Sequence, residues 1–242
     1  MANYPDSAIT TDLNKTDSTI QRDTGMQLAS PGVAKKSQAV SGIIFSTFLA
    51  LHLLNTLFAV SGPDAYDGVQ QLFRLIYQFM PIEVIILAAL ILHILTGLFR
   101  IFTEPKRQLS GRARLHRYTG FFLMLVIGGH ITAVRGASWF FDVYPGFAGL
   151  AFSVQALPLY FYPYYFLLGL TGFYHGLNGL GIALARLGHP FRLTNHKLKY
   201  STGAAGLSLV AVLLGLGGWL FDIADPAQSE FGKLALQLLQ NL

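Results

Sequence analysis

Four histidines lie within long apolar stretches of the sequence, where an ionisable side chain is costly. His52, His93, His130 and His175 each fall near the middle of one of four consecutive stretches. Inside a lipid bilayer no water solvates an imidazole, so each ring is expected to have a specific partner. Imidazole chemistry at such a position is metal ligation, proton relay or hydrogen bonding to a neighbouring helix.

The apolar stretches that carry these histidines predict membrane-spanning helices. Five stretches have close to the ~20 residues that a helix needs to cross the hydrocarbon core, and they cover residues 39–60, 82–101, 117–137, 158–185 and 200–221. The composition, 52% hydrophobic and 12% charged, and a mean hydropathy of +0.48 are typical of membrane proteins. Because lipid cannot satisfy backbone amides, the sequence predicts an all-α integral membrane protein with five transmembrane helices.

Polar segments flank this five-helix domain, which covers residues 39–221. Residues 1–38 form a polar N-terminal tail of mixed charge, and residues 222–242 form an amphipathic C-terminal segment. Between the first two spans, Val69, Leu72, Phe73 and Ile76 recur at helical spacing. This pattern predicts a short amphipathic helix at the membrane interface.

Basic residues are concentrated on one side of the predicted spans, which by the positive-inside rule is the inner side. These residues are Lys35, Lys36, Arg100, Lys106, Arg107, Arg112, Arg114, Arg117, Arg186, Arg192, Lys197 and Lys199. The opposite side has only Arg74, Arg135 and Lys233, with seven acidic residues. We therefore expect the N-terminus inside and the C-terminus outside, and the net charge of +5 does not require nucleic acid as a partner.

The alternating direction of the helices places the histidines in two layers. At about 1.5 Å per residue, His52 lies ~24 Å from Lys36 and His130 ~20 Å from Arg117. His93 lies ~10 Å from Arg100, and His175 lies ~16 Å from Arg186. The first and third helices therefore supply an outer pair, and the second and fourth helices supply an inner pair.

Two facing imidazoles are the expected axial ligands of b-type haem. The chain has no cysteine, which excludes thiolate-held clusters and covalently attached haem within it. The pairs predict two haem b groups in a bundle of the first four helices, with His52 and His130 on the outer iron and His93 and His175 on the inner iron. Glycines beside these histidines would make room for the cofactors: Gly97, Gly128, Gly129, Gly169, Gly172, Gly176 and Gly179. The alternative is a set of histidines that relays protons or only links helices.

Haem propionates require cationic or hydroxyl partners. Candidate partners are Arg100, Arg117 and Arg186 at the inner ends of the helices and Arg135 at the outer side. The remaining histidines, His116, His189 and His196, lie in or beside the basic inner loops and are expected to be exposed.

This arrangement resembles the dihaem cytochrome b membrane subunit of succinate:quinone oxidoreductases and fumarate reductases. The segment "HRYTGFFLMLVIGGHITAVR", residues 116–135, is similar to the third span of that family. The resemblance covers residues 39–221 and implies a membrane anchor for a flavoprotein subunit and an iron–sulfur subunit at the inner face. The chain itself has no flavin motif or cluster ligands.

The resemblance implies electron transfer between the iron–sulfur subunit and a membrane quinone, menaquinone or ubiquinone, in a bacterial cytoplasmic membrane. Glu83, near the outer end of the second span, is the candidate quinone-site residue. Two alternatives remain open at this point. One is another dihaem b-type quinone or ferric reductase similar to cytochrome b561. The other is a transporter or assembly subunit without haem, whose histidines relay protons.

Overall fold

The computed structural model describes residues 31–105, 108–189 and 193–241, and in these ranges the secondary structure is helical, without strands. The 3₁₀ turns are Phe58–Ser61 and Pro226–Gln228. The α-helices are α1 (Pro31–Leu57), α2 (Pro63–Tyr77), α3 (Met80–Thr103), α4 (Gly111–Phe141), α5 (Phe147–Ala156), α6 (Pro158–Arg186), α7 (Asn195–Leu216) and α8 (Glu230–Gln240). Residues 1–30 of the expected tail, together with Lys106, Arg107 and Arg192, lie outside the described residues.

Four helical segments of the described chain are long and apolar enough to cross a membrane: Gly32–Ser61, Met80–Thr103, Gly111–Phe141 and Asn195–Leu216. The most apolar of them, Met80–Thr103, has a mean hydropathy of 2.5, yet only 6% of its central window is buried within the protein. An apolar surface of this size exposed by a helix indicates contact with lipid or with another protein. The chain is therefore a helical protein of the membrane type.

The expected span 158–185 is observed as α6, but it is not one of these four. Its 29 residues are long enough, at about 43 Å, whereas five tyrosines, several glycines and Asn178 lower its mean hydropathy. Packing explains this composition, because α6 is the helix that α1, α4, α5 and α7 all contact. Its buried residues include Tyr174 and Asn178, so these two polar side chains face protein, whereas Tyr160 is exposed.

Helix ends differ from the expected ones in two places. Helix α1 begins at Pro31, so residues 31–38 are its first turns and not part of a tail. Helix α7 ends at Leu216 and not at 221, because Gly218 adopts φ +77° and the N–H of Trp219 turns back to the carbonyl of Leu214. Glycine tolerates this left-handed conformation, which closes the helix.

One end of the bundle is closed by a cap, formed by α2, α5, α8 and the two 3₁₀ turns. Buried residues of the cap pack against the end of α7, with Tyr66, Phe147 and Val154 meeting Leu213 and Leu216. The sequence did not predict α5, a ten-residue apolar helix in the cap. The opposite end, called the loop end, carries the last residues of α3 and α6 and the first residues of α4 and α7, and it corresponds to the predicted inner side.

Candidate cofactor-binding site

A cavity of about 780 Å³ runs between α1, α3, α4 and α6. Its size falls within the range of about 300–1,000 Å³ that is usual for ligand and cofactor sites. His52, His93, His130 and His175 all line it, and so does His116. The lining extends from Arg100, Arg117 and Arg186 at the loop end to Arg74, Glu83 and Arg135 at the cap end.

The histidines meet across this cavity in two pairs. The ring centres of His52 and His130 are 6.0 Å apart, with an angle of 72° between the ring planes. The ring centres of His93 and His175 are 6.2 Å apart, at 89°. The structure thus pairs a histidine of α1 with one of α4, and a histidine of α3 with one of α6.

Both rings of the loop-end pair, His93 and His175, are oriented by backbone carbonyl groups. His93 Nδ1 lies 3.2 Å from the carbonyl oxygen of Gln38. His175 Nδ1 lies 3.1 Å from the carbonyl oxygen of His116 and 3.3 Å from Thr119 Oγ1. When Nδ1–H donates these hydrogen bonds, Nε2 is the nitrogen that remains available to a metal.

The same local sequence pattern forms both of these acceptor sites. The segments are "QAVSG", Gln38–Gly42 in α1, and "HRYTG", His116–Gly120 in α4. In each, the first residue provides the carbonyl, and the hydroxyl three residues later also donates to it, from Ser41 at 3.3 Å and from Thr119 at 3.0 Å.

The glycine that ends each segment makes the approach of the imidazole possible. A Cβ atom on Gly42 would lie 3.0 Å from Cε1 of His93, and one on Gly120 would lie 2.9 Å from Cε1 of His175. Both distances are too short for unstrained contact, so a larger residue at either position would require the ring to shift.

The glycines that were expected to make room for cofactors differ in how closely neighbouring side chains approach them. Cβ atoms on Gly176 and Gly169 would meet Leu49 at 3.0 Å and Leu209 at 2.8 Å. These two glycines therefore allow close packing of helices. Gly128 and Gly129, next to His130, have nothing within 4 Å of such a Cβ atom, so they do not accommodate a neighbouring side chain.

His116 was expected to be exposed, and this prediction is wrong. Its ring is partly buried and stacks on His175 with centres 4.0 Å apart and planes at 7°. The buried Nδ1 atom has no hydrogen-bond partner. The reason is that α4 begins at Gly111, six residues before the predicted span, so His116 lies on a helical face that packs against α6. His189 and His196 are exposed, as predicted.

At the loop end, Gln38 connects two of the predicted arginines. Arg100 donates to the side-chain oxygen of Gln38, and Nη1 of Arg186 lies 3.5 Å from the same oxygen. Arg100 also binds Glu104 through Nε at 2.9 Å and Nη2 at 3.1 Å. These hydrogen bonds, together with Lys35 at 3.4 Å, hold the pKa of Glu104 below its usual value. Arg117 lines the cavity from an exposed position.

At the cap end, Glu83 and Arg135 form a two-pronged salt bridge. The guanidinium donates to the two carboxylate oxygens at 2.5 and 2.9 Å, and its third nitrogen donates to Ser138 Oγ at 2.6 Å. The same group lies 5.1 Å from the ring centre of Trp139. Both side chains are less than one-fifth exposed. The quinone-site candidate Glu83 and the propionate candidate Arg135 are therefore partners of each other.

Sequence reasoning missed Gln38, His116 and Arg74 as lining residues. Gln38 was assigned to the tail, His116 to a loop, and Arg74 only to the outer surface. The repeated pattern of a hydroxyl residue followed by glycine, in "QAVSG" and "HRYTG", was the available signal for the first two. Arg74 carries no such signal, because α2 reaches the cavity only through tertiary packing.

Comparisons of the chain with protein-family models, with curated proteins and with solved structures give no match. Within the described residues, no group of three or more histidine, cysteine, aspartate or glutamate side chains is placed to hold a metal ion by itself. An iron porphyrin needs only two such side chains, because the macrocycle supplies the other ligands.

Proposed function

We propose that this chain is the dihaem cytochrome b membrane subunit of a succinate dehydrogenase or fumarate reductase complex. It would anchor a flavoprotein subunit and an iron–sulfur subunit and carry electrons between them and a membrane quinone. The two histidine pairs that face each other across one cavity carry this proposal.

The separation within each pair fits an iron atom between the rings. An imidazole nitrogen bonds a first-row metal at about 2.0 Å, and the ring centre lies about 1.1 Å behind that nitrogen. Two imidazoles on opposite sides of one iron therefore have ring centres about 6 Å apart. The observed separations are 6.0 and 6.2 Å.

The residues around the pairs also suit haem. Backbone carbonyls engage Nδ1 of His93 and His175, which directs Nε2 towards a metal. At the loop end, Arg186 would provide a cation for a propionate, and Arg100, which Gln38 links to it, is paired with Glu104. When bound, each haem would supply a one-electron carrier, and the pairs His52–His130 and His93–His175 would hold the two haems.

The proposal includes five membrane spans, with α6 as the fourth. Helix α6 can cross the bilayer despite its tyrosines, because α1, α4 and α7 shield it from lipid. The basic loop end would face the cytoplasm of a bacterial cell and dock the two peripheral subunits. Charges such as Arg114, Lys197 and Lys199 are exposed on that end, where they can attract an acidic partner surface.

The test is haem content and spectrum of the purified chain. We expect two haem b per chain in a pyridine haemochrome assay and two resolvable components in a redox titration. His130→Ala should remove the outer component and His175→Ala the inner one, each lowering haem content by about half. His196→Ala, which changes an exposed histidine, is the matched control and should retain both.

The partner subunits distinguish this function from the alternatives. Co-purification of flavin and iron–sulfur subunits, identified by mass, is expected for this complex and not for a reductase similar to cytochrome b561. A chain that contains no haem and shows no Soret band would contradict the proposal and favour a proton-relay role for the histidines.

A further inference from the structure

Arg74 is a partly buried cation that lines the cap end of the cavity. Nη2 donates to the carbonyl oxygen of Pro145 at 2.6 Å, and the guanidinium carbon lies 5.6 Å from the ring centre of Tyr144. Its Nε atom is buried without a hydrogen-bond partner. Among the described residues, no carboxylate lies within 4 Å of Arg74. These contacts fix the guanidinium and leave its charge uncompensated.

The other arginine at this end is already neutralised. All three nitrogens of Arg135 are engaged, two by Glu83 and one by Ser138. The charge of Arg135 is therefore compensated by Glu83, and the unpaired positive charge at the cap end of the cavity belongs to Arg74. A partly buried, unpaired charge is costly unless an anion accompanies it.

Neighbouring groups on α2 do not provide that anion. Burial raises the pKa of Tyr77, although the charges of Arg74 and Arg135 and a side-chain hydrogen bond with Arg74 act in the opposite direction, so its phenol stays neutral at physiological pH. Asp67 accepts a hydrogen bond from the backbone N–H of Phe147 at 2.8 Å. An anionic ligand in the cavity would compensate the charge of Arg74.

We propose that Arg74 binds a carboxylate at the cap end of the cavity and that this carboxylate is a propionate of the outer haem. This inference rests on the proposed function. Continuity of contacts supports the assignment to the outer haem, because Phe48 lies 5.6 Å from His52 and 5.4 Å from Tyr77, between ring centres. Arginine is suited to this role, since its planar fork donates two parallel hydrogen bonds to a carboxylate.

The test is a redox titration of the haem-loaded protein with Arg74→Gln and with Arg74→Met. Removing a cation beside a propionate favours the ferric state, so the reduction equilibrium of the outer haem should shift about tenfold, or about 59 mV downwards. The outer haem is identified as the component that His130→Ala removes. Arg74→Lys keeps the charge and should restore most of the shift. Lys233→Gln, which removes an exposed cation outside the cavity, is the control.

Several outcomes would overturn the assignment: an unchanged outer potential in both neutral variants, an equal shift in Lys233→Gln, or an equal shift of both haems. Loss of the outer haem in the neutral variants, with retention in Arg74→Lys, would support it. A wild-type chain without haem would defeat the proposed function itself. A normal dihaem wild type with unaffected Arg74 variants would defeat only the role of Arg74.

Discussion

The loop-end and cap-end histidine pairs are separated by similar distances but are held in different ways. At the loop end, His93 and His175 are each tied by Nδ1 to a backbone carbonyl beside a glycine. At the cap end, His52 stacks on Phe48, with ring planes at 21°. Hydrogen bonds fix a ring and its tautomer, whereas aromatic packing fixes only its plane. The loop-end pair is therefore the more rigidly preorganised of the two.

The charges at the two ends differ as well. The Glu83–Arg135 pair at the cap end is largely buried, with both side chains less than one-fifth exposed. The Arg100–Glu104 pair at the loop end has a more accessible carboxylate, with Glu104 30% exposed and Arg100 17% exposed. A desolvated pair costs more to break than an exposed one. The same kind of contact should therefore contribute differently to stability at the two ends.

The largest expected effect comes from adding a methyl group beside the loop-end histidines. Gly120→Ala and Gly42→Ala would each push a Cβ atom to 3.0 Å or less from an imidazole carbon. The rings would leave their carbonyl partners, and the inner haem should be lost, lowering haem content by about half. Haem content and the redox titration measure this.

The control for this experiment is Gly128→Ala, on the same helix as Gly120. A Cβ atom at Gly128 has nothing within 4 Å, and alanine favours a helix by about 1 kcal/mol over glycine. Both haems should therefore remain. If Gly120→Ala retained an unaltered inner haem, the conclusion that the loop-end histidine pair is the more rigidly preorganised one would be wrong.

A smaller effect is expected from breaking the salt bridges. Glu83→Gln leaves a largely buried guanidinium without its counter-charge and should lower the free energy of unfolding by roughly 1–3 kcal/mol. Glu104→Gln should cost roughly 0–1 kcal/mol, because this carboxylate is more exposed and Arg100 keeps its hydrogen bond to Gln38. Thermal denaturation in detergent compares the two. The double variant Glu83→Gln, Arg135→Gln should recover part of the lost stability. A larger loss of stability in Glu104→Gln than in Glu83→Gln would contradict the expected order of the two salt bridges.

The smallest effect is a pH dependence at the loop end. Hydrogen bonds from Arg100 hold the pKa of Glu104 below 4.5, its ordinary value. A carboxyl group with a lowered pKa stabilises the folded state at pH above its unfolded pKa, and this contribution is lost as the pH falls through the folded pKa. The stability difference between the wild type and Glu104→Gln should therefore be constant above about pH 6 and shrink towards about pH 3. A difference that grows on acidification would contradict the lowered pKa.

Much of the pairing could be predicted from local sequence. The distance of each histidine from the basic residue at the inner end of its apolar stretch gives its depth, because every residue of a helix advances it by about 1.5 Å. That is sufficient to match His52 with His130 and His93 with His175. The ends of the helices were harder to predict from the sequence. The helices that begin at Pro31 and Gly111 start outside the apolar stretches from which the spans were predicted.

The sequence by itself determined a helical membrane protein with its histidines at two depths, because hydropathy and helical rise are local properties. Only the tertiary structure decided which groups surround them. The stacking of His116 on His175, the pairing of Glu83 with Arg135 and the reach of Arg74 into the cavity join residues that are distant in sequence. Such contacts depend on how each helix is rotated about its axis, which is set by the packing of whole helices and not by any one segment.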